Sequence, residues 1–229
     1  MTVLVALAVL SGCATSGGAP AGGRSAGGAA PPTAPAAAPL TGGPSAAVAR
    51  PATSAPFVEG LAGVDAELLA SSYANDLQGA EAAIRAGGDV NAQDASQQSA
   101  FLIATSEIGD DPRLLELTLA NGADVAALDS YDGTGLIRAA ERGYPRIVAR
   151  LLQASTAVDH VNRLGWTALL EAVVLGAGGP EHTETVRLLI DGGADVNLPD
   201  STGVTPLAHA QERGQSDIAA LLQSAGAHG

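Results

Sequence analysis

Residues 192–210 read GGADVNLPDSTGVTPLAHA. Alone, the stretch offers aspartates, a Gly-Val-Thr-Pro step and a histidine, which would suit a metal loop or a catalytic turn. Laid against the chain before it, the stretch becomes one copy of a series. GGDVNAQDASQQSAFLIA starts at Gly87, GADVAALDSYDGTGLIRAA at Gly122 and STAVDHVNRLGWTALLEA at Ser155. The Ser or Thr that opens each apolar run falls at Ser99, Thr134, Thr167 and Thr205, spacings of 35, 33 and 38 residues. A recurring period of that size marks a stacked-repeat architecture. A tail copy, SAGAH, closes the chain at 224–228, and an atypical first copy at Ala66 to Leu69 has alanine in place of the threonine.

Each copy follows one physical grammar. A short apolar helix follows the threonine, with Leu136, Ala139 and Ala140 in one copy and Leu169, Ala172 and Val173 in the next. Asn75, Gly109, Gly143, Gly176 and Gly214 then end it, residues that tolerate the left-handed conformation of a helix C-cap. A second helix carries paired large apolars such as Ile147-Val148 with Leu151-Leu152, or Ile218 with Leu221-Leu222, spaced to share one face. Small alanines on the first helix let neighbouring units stack closely. No unit buries its apolar face alone, so the stack is the core.

This pattern resembles the ankyrin repeat, with its G-x-T-P-L-H-x-A, helix-ending glycine, I-V-x-L-L-L and G-A-D-V-N. The best copies are Gly203 to Ala210 with Gly193 to Asn197, and Gly165 to Ala172. The resemblance implies an all-α repeat solenoid of about five stacked helix–turn–helix units with hairpin loops, preceded by a disordered linker. The repeat domain is expected over 58–229, with units at about 58–93, 94–128, 129–161, 162–199 and 200–229. The family's histidine is replaced by Leu102, Ile137, Leu170 and Ala208, so its usual links between neighbouring turns are expected to be missing. The glycine before the threonine is Gln97 and Asp132 in two units, which makes those turns less ideal. About five residues are inserted around Ala177 to His182 and about two near Asp110 and Asp111. These read as surface bulges, or as a lip on a binding edge.

The N-terminus differs in kind. MTVLVALAVLSGC carries an apolar run from Val3 to Leu10 followed by Leu10-Ser11-Gly12-Cys13. That run is far shorter than the roughly 20 residues a membrane span needs, and it reads as an export signal. The tetrapeptide resembles a bacterial lipobox, which implies a signal peptide over 1–12 and lipidation of Cys13, the chain's one cysteine. The departure is that no Lys or Arg precedes the apolar run, as if a basic segment lay upstream. Residues 13–57, rich in Gly, Ala and Pro, lack periodic hydrophobicity and read as a disordered tether reaching about 35 Å. The expected location is exported, lipid-anchored on the extracytoplasmic face.

The chemistry is sparse. The chain carries a formal charge of −13 and no lysine, which excludes a phosphate-binding Walker loop and a Schiff-base nucleophile. Its acidity also argues against nucleic acid or an anionic membrane surface as a direct ligand. His160, His182, His209 and His228 are scattered singly, and the recurring aspartates read as turn and cap residues. No catalytic residues, metal or cofactor are implied; Glu181 with His182 is the one alternative for weak metal binding or hydrolysis. The ankyrin resemblance implies instead a monomer that binds a protein, expected to be an envelope or secreted one. Its groove is made of finger tips and outward first-helix positions. By register the partner-binding candidates are Tyr131, Arg138, Arg142, Trp166, Glu171 and His209. For Trp166, packing sideways across the finger row is an equal reading, and for Arg138 and Glu171 so is an ion pair between repeats. A spacer of the cell envelope without a tight ligand is the other functional class.

Overall fold

The computed structural model of the protein describes residues 60–228. The expected signal peptide, Cys13 and tether lie outside the described residues. The described chain forms ten helices in five antiparallel pairs: α1 (Val64–Tyr73) with α2 (Leu77–Arg85), α3 (Ala100–Ser106) with α4 (Arg113–Ala120), α5 (Gly135–Arg142) with α6 (Pro145–Gln153), α7 (Ala168–Val174) with α8 (Pro180–Asp191), and α9 (Pro206–Glu212) with α10 (Ser216–Ser224). Hairpin loops join the pairs, and an isolated β bridge links Leu128 with Thr134. The fold is the all-α repeat solenoid that the sequence implies.

The repeated threonine explains where each first helix begins. The side-chain oxygens of Ser99, Thr134, Thr167 and Thr205 accept the N–H of Leu102, Ile137, Leu170 and Ala208 at 3.2, 3.3, 3.2 and 3.2 Å. Each such cap satisfies an amide that the helix leaves unpaired, and stabilises by about 1 kcal/mol. The first unit lost this residue, and α1 starts at Gly63 without a side-chain cap. Left-handed backbone occurs at Asn75, Gly109, Gly143 and Gly214 as expected, and also at Gln97 and Asp132. Gly176 is a correction. Helix α7 ends on right-handed Leu175, and the left-handed turn has moved into the insertion, at Gly178. Gly176 is required for space instead: a Cβ there would lie 2.0 Å from the carbonyl oxygen of Ala172.

First helices α1, α3, α5, α7 and α9 form one row, each against the next, and the second helices form an outer row. Leu68, Phe101, Leu136, Leu169 and Leu207 run through the inner row, one per unit, all buried. Ala104, Ala139, Ala172 and Ala210 lie between them with no exposed surface, so helix axes approach closely. A fully buried leucine contributes about 1.5–3 kcal/mol, so a chain poor in aromatics still builds a continuous core.

Polar rungs join the units along the hairpin bases. Asn91 accepts the backbone N–H of Asp124 at 2.8 Å, Asp159 that of Asp195 at 3.0 Å and Asn197 that of His228 at 3.0 Å, while Asp65 makes a like bond to Asp89 within the first unit at 2.9 Å. Between the second and third units the corresponding position is Ala126, which offers no acceptor to the backbone N–H of Ala157. Ala126→Asn is expected to supply this rung and raise the free energy of unfolding by about 0.5–1.5 kcal/mol, read from the urea midpoint. An unchanged or lower midpoint would show that the rungs are incidental.

The insertions are built into the seams. Asp110 accepts the N–H groups of Arg146 at 3.2 Å and Ile147 at 3.0 Å, and so caps α6 from the preceding unit. The cap is needed, because Tyr144 at the start of α6 supplies no side-chain bond. The larger insertion lengthens α8 to 12 residues, against 9 in α6. Gln215 of the next unit donates its amide to the carbonyls of Val173 and Gly176, both at 3.1 Å, and ties that loop down.

Candidate functional site

The fingers that precede α3, α5, α7 and α9 share one local structure, organised by Asp94, Asp129, Asn162 and Asp200. In each, Oδ1 accepts backbone N–H groups two and four residues ahead: Ser96 and Gln98, Tyr131 and Gly133, Leu164 and Trp166, Thr202 and Val204. An Asx side chain bonding forward in this way closes a tight turn.

The second side-chain atom of the finger residue reaches nine positions on, to the first helix. Asp129 Oδ2 accepts from Arg138 at 3.0 Å, Asn162 Nδ2 donates to Glu171 at 2.7 Å, and Asp200 Oδ2 accepts from His209 at 2.8 Å. In the first finger the ninth residue is Ile103, and no such bond forms. The expectation that Arg138, Glu171 and His209 face a partner is therefore corrected. They turn inward and brace the fingers on the helices.

Arg138 is only 9% exposed. Besides Asp129 it bonds Gln98 at 2.9 Å, Ser106 at 2.7 Å and Glu107 at 3.1 Å, all in the preceding unit. Glu171 is 4% exposed, and its Oε2 has no hydrogen-bond partner. Burial pushes its carboxyl up to about 7; the Asn162 bond opposes this, and Glu141 and Asp129 add to it. Burial also acts to raise Asp200, but bonds from the Thr202 hydroxyl, His209 and the Val204 and Thr202 amides prevail and hold it well below the usual carboxylate range. Arg138 and Glu171 make no pair with each other.

Tyr131 and Leu164 are open instead, 60% and 49% exposed on adjacent finger tips. The two fingers are tied together: the Arg163 N–H donates to the Tyr131 carbonyl at 2.9 Å, and the Arg163 guanidinium meets Asp132 at 3.1 Å. His160 Nε2 adds a bond to the Asp132 carbonyl at 2.8 Å. Links between neighbouring turns are thus present, made by other residues than the family's histidine. Trp166 is half-buried, with its backbone clamped to Asn162. Arg142 is exposed on the inner helix, with Glu107 3.9 Å away. Leu164 is not among the partner-binding candidates that register picks out. Its signal was a large aliphatic residue in a turn position otherwise held by Ser, Thr or Tyr.

His182 donates from Nε2 to the Glu141 carbonyl at 3.1 Å, and its ring lies against Gly143 and Gly176. Glu181 is exposed and Glu184 is paired with Arg187, so the three do not converge. Among the described residues no three His, Cys, Asp or Glu are placed to hold a metal ion.

Residues 101–200 and 136–229 match the family described as ankyrin repeats (3 copies). The ankyrin repeat protein YahD of Escherichia coli (strain K12) is 41% identical over 166 residues, which span 72% of this chain and 81% of that protein. Human ankyrin repeat and SOCS box protein 6 is 31% identical over 147 residues, covering 62% of this chain and 34% of that protein. Among solved structures, an ankyrin repeat domain from Acinetobacter baumannii superimposes with a TM-score of 0.66 at 45% identity, over 70% of this chain and 81% of that one.

Proposed function

Since the chain belongs to the ankyrin-repeat family, a protein–protein interaction module, we propose that it is a non-catalytic binding protein whose partner seats on the tips of the Asp129 and Asn162 fingers. One observation carries this reading: Tyr131 and Leu164 are exposed side by side on fingers that bonds from Arg163 and His160 hold rigid. A preorganised apolar pair loses little entropy on binding, and aromatic anchors dominate interface energies. Trp166 behind the tips and Arg142 on the inner helix flank the surface. With no lysine and a formal charge of −13, the protein repels phosphate polymers, which favours a protein partner.

The location proposed is the outer face of a bacterial membrane, with an envelope protein as partner. Leu10-Ser11-Gly12-Cys13, with its one cysteine, supports lipidation, and residues 13–57 supply a tether. Each tip truncation is expected to weaken the partner's binding about tenfold. Crosslinking in intact cells followed by affinity measurement with the purified partner tests this, comparing wild type with Tyr131→Ala and Leu164→Ala. Identical partners and affinities in all three would remove the surface and leave an envelope spacer. Cys13→Ser should shift the protein from the membrane to the soluble fraction; unchanged membrane association would defeat the anchor alone.

A further inference from the structure

Three of the four fingers bond across nine residues to the first helix; Asp129 meets the Arg138 guanidinium and Asp200 the His209 ring. The third is built differently. Asn162 is neutral and donates, and its acceptor is a buried carboxyl with one oxygen unbonded. No cation compensates Glu171 from the elements around it. Helix α5 and its finger present Glu141 and Asp129, both anionic, while Arg138 is committed to Asp129 and Glu107. On α8, His182 is turned to the Glu141 carbonyl, and on α9, His209 is turned to Asp200.

We propose that the Asn162–Glu171 contact is a proton-operated latch on the Asn162 finger, shut while the Glu171 carboxyl carries its proton and released when it ionises. A neutral carboxyl sits in this apolar, anion-flanked site at little penalty. A carboxylate there has one donor where it needs several, and it reaches more only by turning outward to water. That turn breaks the bond to Asn162 Nδ2. Asn162 also holds the Leu164 and Trp166 amides through Oδ1, so its release loosens the whole finger tip.

The direction with pH follows from the sign of the shift. Glu171 is raised by burial to about 7, so the native state holds a proton that the unfolded chain has already lost. Stability from the latch is complete below the ordinary carboxylate range and is lost as pH rises through about 7.

Trp166 is the chain's one tryptophan and sits on this finger, so its emission reports the latch directly. In the full-length protein, emission titrated from pH 5.5 to 8.5 should show a transition centred near 7. Over the same range the urea midpoint should fall. Both changes should be absent in Glu171→Gln, which keeps the acceptor for Asn162 without the titrating group. Glu171→Leu, which keeps neither, should also be flat, and it covers the case of a poorly folded Gln variant. Circular dichroism at pH 6 establishes that each variant is folded. Flat emission in the wild type would overturn the proposal, and so would a transition that persists in Glu171→Gln, which would place the titrating group elsewhere. The emission test does not depend on the partner surface proposed above.

Discussion

Arg138→Ala is expected to lower the free energy of unfolding by about 3–5 kcal/mol, the range for removing one member of a buried ion pair. Two separate losses drive this. Asp129, itself buried, loses the cation 3.0 Å from its Oδ2 while its other oxygen stays bound to the Tyr131 and Gly133 amides. The carboxylate cannot turn to water without dismantling its finger. At the same time Gln98, Ser106 and Glu107 lose the group that ties the second unit to the third. The same seam lacks the hairpin rung at Ala126, so its main polar connections are this arginine, the Asp110 cap on α6 and the Arg150–Glu116 pair. Urea unfolding should show a lower midpoint and a transition that broadens as the first two units uncouple from the rest. Arg138→Lys should recover only a small part, because a compact ammonium cannot reach all four acceptors that the guanidinium bridges. Arg138→Met with Asp129→Asn should recover more, since it removes the stranded charge. A midpoint within error of wild type in Arg138→Ala would show that the network contributes nothing net.

The architecture was legible because its causes are local. A threonine caps a helix three residues ahead, a left-handed residue ends it, and apolar residues three and four apart face one way. All of these act within a few residues of chain. The unusual positions Gln97 and Asp132 were readable on the same basis, since they occupy a place in the turn that glycine otherwise fills. The bracing of the fingers was not legible. Asp129 with Arg138, Asn162 with Glu171 and Asp200 with His209 are complementary partners nine residues apart, across a turn and the start of a helix. Neither helical nor strand periodicity marks that spacing. Register therefore assigned Arg138, Glu171 and His209 to the outward face, while their real partners lie at the base of the finger. Gly176 failed for another reason: the insertion after it displaced the turn by two residues, a shift that spacing alone does not locate. Asp110 and Gln215 were hidden likewise, because each acts on the neighbouring unit rather than its own.

Phe101→Ala should be the most damaging single truncation in the core, lowering stability by about 3–5 kcal/mol. Phe101 is fully buried where the other units carry Leu68, Leu136, Leu169 and Leu207. The larger ring is accommodated one unit away. Gly135 stands where the neighbouring units have Ala100 and Ala168, and a Cβ on it would lie 3.2 Å from Phe101 Cζ and 2.9 Å from Thr105 Cγ2. Glycine in the first turn of α5 forfeits up to about 1 kcal/mol of helix propensity relative to alanine, so the pair looks like a compensation rather than two independent choices. Gly135→Ala in the wild type should then destabilise, by about 1–3 kcal/mol, because the gain in propensity is outweighed by overpacking against ring and methyl. The same change made on top of Phe101→Leu and Thr105→Ser meets neither atom, and should be neutral or stabilising. The difference between the two backgrounds, measured by urea unfolding, is the coupling energy and should fall within about 0.5–3 kcal/mol, as for residues in direct contact. If Gly135→Ala has the same effect in both backgrounds, the two positions are independent. The glycine would then need a cause other than the ring it faces.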